Sequence, residues 1–240
     1  MKHLILGTAL LALTAGMGAA QTVRLGTEGA YPPYNFIDDN GQVAGFERVL
    51  GDELCKRAEL TCEWVTNDWD SIIPNLVSGN YDAIIAGMSI TDERKQVVDF
   101  SENYTPPSPS AYMAKSADAD IENGVIAAQT GTIQAAHIAS TGATLLEFPS
   151  PDETVAAVQS DEADAVLADK DYLIPVVEES GGALVFVGDD LPLGGGIGMA
   201  FRKSDPELRG KFDAAIKSMK ADGSLNNLII EYLGEDSPHF

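Results

Sequence analysis

Twice along this 240-residue chain an aspartate leads a short apolar run: Asp82-Ala83-Ile84-Ile85-Ala86 and Asp164-Ala165-Val166-Leu167-Ala168. Each time a serine, Ser78 or Ser160, stands four residues earlier. Short apolar strands resemble one another by chance, so the elements around them carry the weight. Before the first run the sequence reads as strand 22–27, helix 47–58 with Val49, Leu50 and Leu54 facing inward, strand 61–67 and helix 70–78. Before the second it reads as strand 125–128, helix 133–141, strand 144–148 and helix 152–160, with another helix at 170–179. Strands alternating with helices are the grammar of a parallel sheet covered by helices. The expected fold class is α/β, in two similar lobes whose strand ends face each other.

Between these series the chain carries breakers. Glu28 to Tyr34 reads as a loop, because Pro32 and Pro33 remove donors and restrict the residues before them. Tyr104-Thr105-Pro106-Pro107-Ser108-Pro109-Ser110 reads as a linker. A strand is expected at 184–187, and the glycine-rich apolar run 194–201 as a second crossing strand between the lobes. That run is no phosphate loop, since no lysine follows at the required spacing. Helices at 206–220 and 225–233 complete the pattern.

The first twenty residues read as an export leader: Lys2 and His3, an apolar stretch from Leu4 to Leu13, then small residues up to a cut after Ala20. No cysteine stands near that cut for lipid attachment, and no other run is long enough for a membrane span. The formal charge of −22 argues against nucleic acid or an anionic membrane as partner and favours a cationic ligand at long range. Much of it serves solubility. In an exported protein the isolated pair Cys55 and Cys62 reads as a disulfide joining a helix end to the next strand. His3, His137 and His239 form no metal or catalytic cluster, and no cofactor is expected.

The ends of strands in open α/β sheets are where ligands bind. The third strand runs into Ala86-Gly87-Met88-Ser89-Ile90-Thr91-Asp92-Glu93-Arg94. Thr91 is expected to cap a helix whose first turn holds Asp92 and Glu93, which leaves Arg94 opposing the macrodipole. A surface pair with Asp92 or Glu93 would explain Arg94; so would a bound carboxylate gripped by its planar fork. Glu28 and Tyr31 lie after the first strand, Trp69 after the second, and Thr132 and Asp169 at strand ends of the second lobe. A cation on one lobe and an anion on the other suit a zwitterion. Four or five charge-assisted hydrogen bonds of about 1.5–3 kcal/mol each reach micromolar affinity or better.

Several stretches resemble the periplasmic amino-acid-binding proteins of ABC importers, in the branch for polar and basic amino acids. They are Gly26-Thr27-Glu28-Gly29-Ala30-Tyr31-Pro32-Pro33-Tyr34, Gly45-Phe46-Glu47, Asp68 to Leu76, Ser89 to Arg94, Gln129-Thr130-Gly131-Thr132 and Leu225 to Tyr232. The cysteine pair also resembles the disulfide of the lysine-arginine-ornithine and histidine binders. The resemblance implies a type II periplasmic-binding fold: lobe one at 21–106 and 198–240, hinges at 107–112 and 197, lobe two at 113–196. It implies a monomer that hands its ligand to a membrane permease. Arg94, Ser89 and the Thr132 N–H would hold an α-carboxylate, and Asp169 with the Gly87 carbonyl an α-ammonium. Tyr31 and Trp69 would flank a side chain whose distal cation meets Glu28, arginine ahead of lysine, ornithine or histidine. Ala86 and Ile133 depart from the pattern of the basic binders, which leaves neutral amino acids and opines as alternatives; Val49 departs too, but as a matter of helix packing. A cyclohexadienyl-dehydratase-like enzyme on the same fold is the rival class, but an ammonium partner such as Asp169 would have no use there. A sensor module would need a signalling domain, which the sequence does not display.

Overall fold

Two five-stranded sheets carry the molecule, a computed structural model that describes residues 22–240. The leader expected at 1–20 lies outside the described residues. The first series comprises β1 (Thr22–Thr27), β2 (Ala30–Tyr31), β3 (Asn35–Ile37), β4 (Val43–Ala44), α1 (Phe46–Arg57), β5 (Thr61–Thr66), α2 (Ile72–Val77), β6 (Ala83–Ile84) and β7 (Asp99–Thr105). The second comprises β8 (Ser110–Ala114), β9 (Val125–Gln129), α3 (Ile133–Ala139), β10 (Thr144–Phe148), α4 (Pro151–Gln159), β11 (Ala165–Asp169), α5 (Lys170–Glu179) and β12 (Val185–Leu191). The chain then returns through β13 (Ile197–Phe201), α6 (Pro206–Asp222) and α7 (Ser224–Leu233).

The sheet orders are β5-β1-β6-β13-β7 and β10-β9-β11-β8-β12. In each, the first three strands are parallel and the last two run antiparallel to their neighbours. The fold is the expected two-lobed α/β architecture. The aspartate-led runs occupy the same place in both lobes. Asp82 Oδ2 accepts from the Arg24 N–H at 3.0 Å, and Asp164 Oδ2 from the Val125 N–H at 2.7 Å. Each aspartate thus ties the start of the third strand to the start of the first. Ser78 and Ser160 end α2 and α4 in matching fashion, each hydroxyl bonded to a helical carbonyl. Buried Leu25, Ile85, Met199 and Phe201 fill one sheet's face, and Ala127, Val166 and Met113 the other's.

Several expectations need correction. The chain crosses between sheets at 106–109 and 192–196. Ser110, Ala111 and Tyr112 already pair in the second sheet and Ile197 in the first, so these residues belong to ladders rather than to the connections expected at 107–112 and 197. The second crossing strand begins at Ile197, not Gly194. Strands β7 and β8 flank the supposed linker at its two ends; the mostly polar Asp99 to Asn103 hides an edge strand paired with β13. The segment read as a loop before Tyr34 instead forms a small sheet, β2-β3-β4, with both prolines in the turn, where no ladder donor is needed. On α1 the inward face is Phe46, Glu47, Leu50, Gly51, Leu54 and Cys55, while Val49 is 38% exposed. The helix expected after Thr91 is a single 3-10 turn at Arg94–Gln96, so the macrodipole argument for Arg94 lapses.

Cys55 and Cys62 form the expected disulfide, joining the end of α1 to the start of β5. Asp82 receives Arg24 and Arg202 in ion pairs of 3.0 Å each. Burial alone would raise its pKa, but these donors outweigh burial and bring it down to about 2. A carboxyl lowered in the folded state stabilises above its unfolded pKa near 4 and loses that contribution as pH falls toward 2. Asp82→Asn should therefore lower the melting temperature at pH 7, with the gap to the parent closing between about pH 4 and 2 in a calorimetric pH series.

Candidate functional site

Glu28 follows β1, Gly87 and Ser89 follow β6, and Trp69 begins the turn after β5; all three strand ends point the same way. From the facing lobe come Thr132, which caps α3, and Asp169, which ends β11 and begins α5. All eight candidates, Glu28, Tyr31, Trp69, Gly87, Ser89, Arg94, Thr132 and Asp169, line one cleft. Ala86 and Ile133, the noted departures, line it too.

Arg94 is not in a surface pair. Asp92 faces Lys95 at 3.5 Å, and among the described residues no carboxylate lies in ion-pair contact with Arg94. Its guanidinium donates to the Ser89 carbonyl at 2.9 Å and, across the cleft, to the Gly131 carbonyl at 3.3 Å. It lies 5.3 Å over the Trp69 ring, so Trp69 supports the arginine. Burial brings the Arg94 pKa down to about 10, against the attraction of Asp169 and Glu93. The Thr91 hydroxyl accepts from the Arg94 N–H at 3.1 Å and so fixes the turn.

Asp169 is held by neutral donors: Tyr31 OH from the other lobe at 2.8 Å and Gln134 Nε2 at 2.7 Å. Burial raises its pKa to about 6; nearby Asp171 adds to this, while Tyr31, Gln134 and Arg94 oppose it. The Tyr31 ring stacks on Tyr172 with centroids 4.6 Å apart, which makes Tyr31 a bridge between lobes as well as a wall. Thr132 spends its hydroxyl on α3, accepting from the Ala135 N–H at 3.1 Å.

Glu28 accepts from Gln129 Nε2 across the cleft at 2.5 Å. Burial raises its pKa to about 7, and Asp68, Asp152 and Glu47 push the same way against the Gln129 hydrogen bond. Neither Gln129 nor Gln134 stands out as a site residue in the sequence. Gln129 sits at the end of β9, so strand-end reasoning finds it once the strand is extended by one residue. Gln134 looks like any solvated helix glutamine, yet it is 4% exposed.

The family described as Bacterial extracellular solute-binding proteins, family 3 matches residues 23–235. The chain belongs to that family. It is 34% identical over 233 residues to the L-arginine-binding protein of Pseudomonas aeruginosa, covering 91% of this chain and 90% of that one. It is 29% identical to the lysine/arginine/ornithine-binding periplasmic protein of Escherichia coli, over 97% of each. Among solved structures, a periplasmic His/Glu/Gln/Arg/opine family-binding protein from Silicibacter pomeroyi in complex with lysine is 70% identical. It superposes with a TM-score of 0.90, covering 91% of this chain and 100% of that one. These relatives are named as binding proteins. Among the described residues no helix is long and apolar enough to cross a membrane.

The raised Glu28 pKa has a consequence for stability. A carboxyl that titrates higher when folded than when unfolded carries no penalty below its unfolded pKa and acquires one as pH rises through the folded value. Without ligand, Glu28→Gln should melt above the parent at pH 8, with the difference shrinking toward pH 5; equal melting at pH 8 would contradict the burial of this charge.

Proposed function

We propose that the cleft binds a cationic L-amino acid, arginine ahead of lysine, ornithine and histidine, and that the closed protein delivers it to the permease of an ABC importer. The observation that carries this reading is a pair of opposite charges on facing lobes, neither cancelled by the other. Arg94 is satisfied by carbonyls and Asp169 by neutral donors. A zwitterion supplies the missing partner to each: its carboxylate to Arg94, Ser89 and the Thr132 N–H, its ammonium to Asp169 and the Gly87 carbonyl. Glu28 adds a third charge, and a distal guanidinium or ammonium would keep it ionised at neutral pH.

Closure by hinge motion between the two lobes fits the contacts that span the cleft, which are mainly side-chain hydrogen bonds and one stacked tyrosine pair. The two crossings at 106–109 and 192–196 would carry that motion, with lobe one reaching about residue 106 and resuming near 198. The names of the relatives support arginine and lysine as ligands. The leader at 1–20, cut after Ala20, would deliver the protein to the periplasm, where it would act as a monomer.

A thermal-shift panel of the twenty amino acids, ornithine, citrulline, opines and prephenate tests the class, since ligand binding raises the melting temperature by mass action. The cationic amino acids should give the largest shifts; stabilisation by acidic amino acids alone would overturn the assignment. In calorimetry Glu28→Gln should lose about 2–5 kcal/mol of arginine affinity, the cost of removing one partner of a buried charge pair. The variant that stabilises the empty protein at pH 8 should thus weaken the liganded one.

A further inference from the structure

Beneath the cleft stands a carboxylate with no cation beside it. Glu47, in the first turn of α1, is 0% exposed. Its Oε1 accepts from the Gly87 N–H at 2.6 Å and from the Tyr104 hydroxyl, and its Oε2 accepts from Asn35 Nδ2 at 2.7 Å. Asn35 Oδ1 in turn accepts from the Gly29 N–H at 2.7 Å. Among the described residues no basic side chain contributes to its environment; burial raises its pKa, and the three donors oppose this. A buried charge is costly unless it is hydrogen-bonded, and all three partners are donors. In this arrangement all three hydrogens point at the carboxylate, one from a backbone amide, one from a phenol and one from a side-chain amide.

We propose that Glu47 is a positioning residue for ligand binding, setting both ends of the cleft from one side chain. The inference rests on the reading of the cleft as an amino-acid site. At one end Glu47 orients Gly87, whose φ of +60° is a conformation that only glycine adopts readily. At the other it holds, through Asn35, the backbone of Gly29, the residue directly after Glu28. Through Tyr104 it also grips β7, the strand that leads to the first crossing. Glu28 and Gly87 come from separate strand ends, and this network holds them in register.

The network is directional: the Gly29 N–H donates to Asn35, and the Asn35 amide donates to Glu47. In Glu47→Gln the new amide meets either the Asn35 amide or the Gly87 and Tyr104 donors, so one donor loses its acceptor. In Asn35→Asp two carboxylates face each other. The double variant Glu47→Gln/Asn35→Asp reverses the direction of the hydrogen bond between the two side chains. The introduced glutamine amide donates to the introduced aspartate, which still accepts from Gly29, while the glutamine oxygen accepts from Gly87 and Tyr104. Net charge and shape are conserved.

Arginine affinity by calorimetry and the melting temperature of each empty variant make the test. Each single variant should weaken arginine binding about ten- to hundredfold, the cost of one unsatisfied buried group. The double variant should return to within about threefold of the parent. A Glu47→Gln protein that melts lower yet binds arginine as the parent does would show a role in folding only and overturn the proposal, as would a double variant that folds but does not recover. Should Glu47→Gln fail to fold, Asn35→Ala, which frees the Gly29 N–H and removes one of the three donors to Glu47, should narrow the preference for arginine over the isosteric neutral citrulline; an unchanged ratio overturns the proposal. A parent protein that binds no amino acid would instead overturn the reading of the site itself.

Discussion

Arg94 and Asp169 feel each other's charge across the cleft yet are not paired, and the rest of the site is arranged to keep them so. Each is satisfied just enough to be tolerated while half-buried. Carbonyl oxygens take the guanidinium's donors without neutralising it, and a phenol and an amide do the same for the carboxylate. A direct ion pair would leave no net charge for a ligand to answer. Neutral partners keep the charges and fix their geometry, so on the proposed reading a zwitterion would meet groups already oriented and little freedom would be lost on binding.

On the proposed hinge motion, lobes that move against one another would need firm interiors and a replaceable boundary. The interiors are firm because each sheet is laced from strand to strand, and an aspartate ahead of the central strand, Asp82 or Asp164, ties that strand onto its neighbour. The boundary is of a different kind. Tyr31 to Asp169, Tyr34 to Asp171, Gln129 to Glu28 and Arg94 to the Gly131 carbonyl all cross it, along with the stacked Tyr31 and Tyr172 rings. Every one of these polar groups can be satisfied by water when the lobes part, so exchange costs little net hydrogen bonding. An apolar boundary of similar extent would resist opening by the area it exposed.

The sequence made the parallel core legible because the segments of β6, β9 and β11 are apolar runs, and helices such as α3 and α4 carry recognisable starts in Thr132 and Ser150. It made the cleft legible because strand ends in such sheets converge. What it hid follows from the same physics. Strand β7 lies at an edge with one face half open, so Asp99 to Asn103 carries no apolar signature. Glu47 reads as a solvated helix residue, and Val49, two positions on, as core; only the partners Gly87, Tyr104 and Asn35, distant in sequence, reverse the two. Gln134 is buried for the same reason, by Asp169 and Ser110. A polar residue's burial is decided by whether its hydrogen bonds are met, and that cannot be read from its neighbours in the chain.

The acidic surface and the acidic cleft act at different ranges. A formal charge of −22 raises the local concentration of any cation, but the effect falls off within about a Debye length and cannot tell arginine from lysine. In the cleft wall, burial and then the charges of Asp68, Asp152 and Glu47 raise the Glu28 pKa to about 7, so its proton and a cation compete for the same oxygens. On the proposed reading, a ligand with a distal positive charge wins that competition at neutral pH, and a neutral isostere must leave the proton in place. An acidic side chain would set a second carboxylate against the first. Discrimination by charge sign is therefore built into the distal wall, while the choice among cations falls to the space and donor geometry between Glu28, Gln129 and Tyr31.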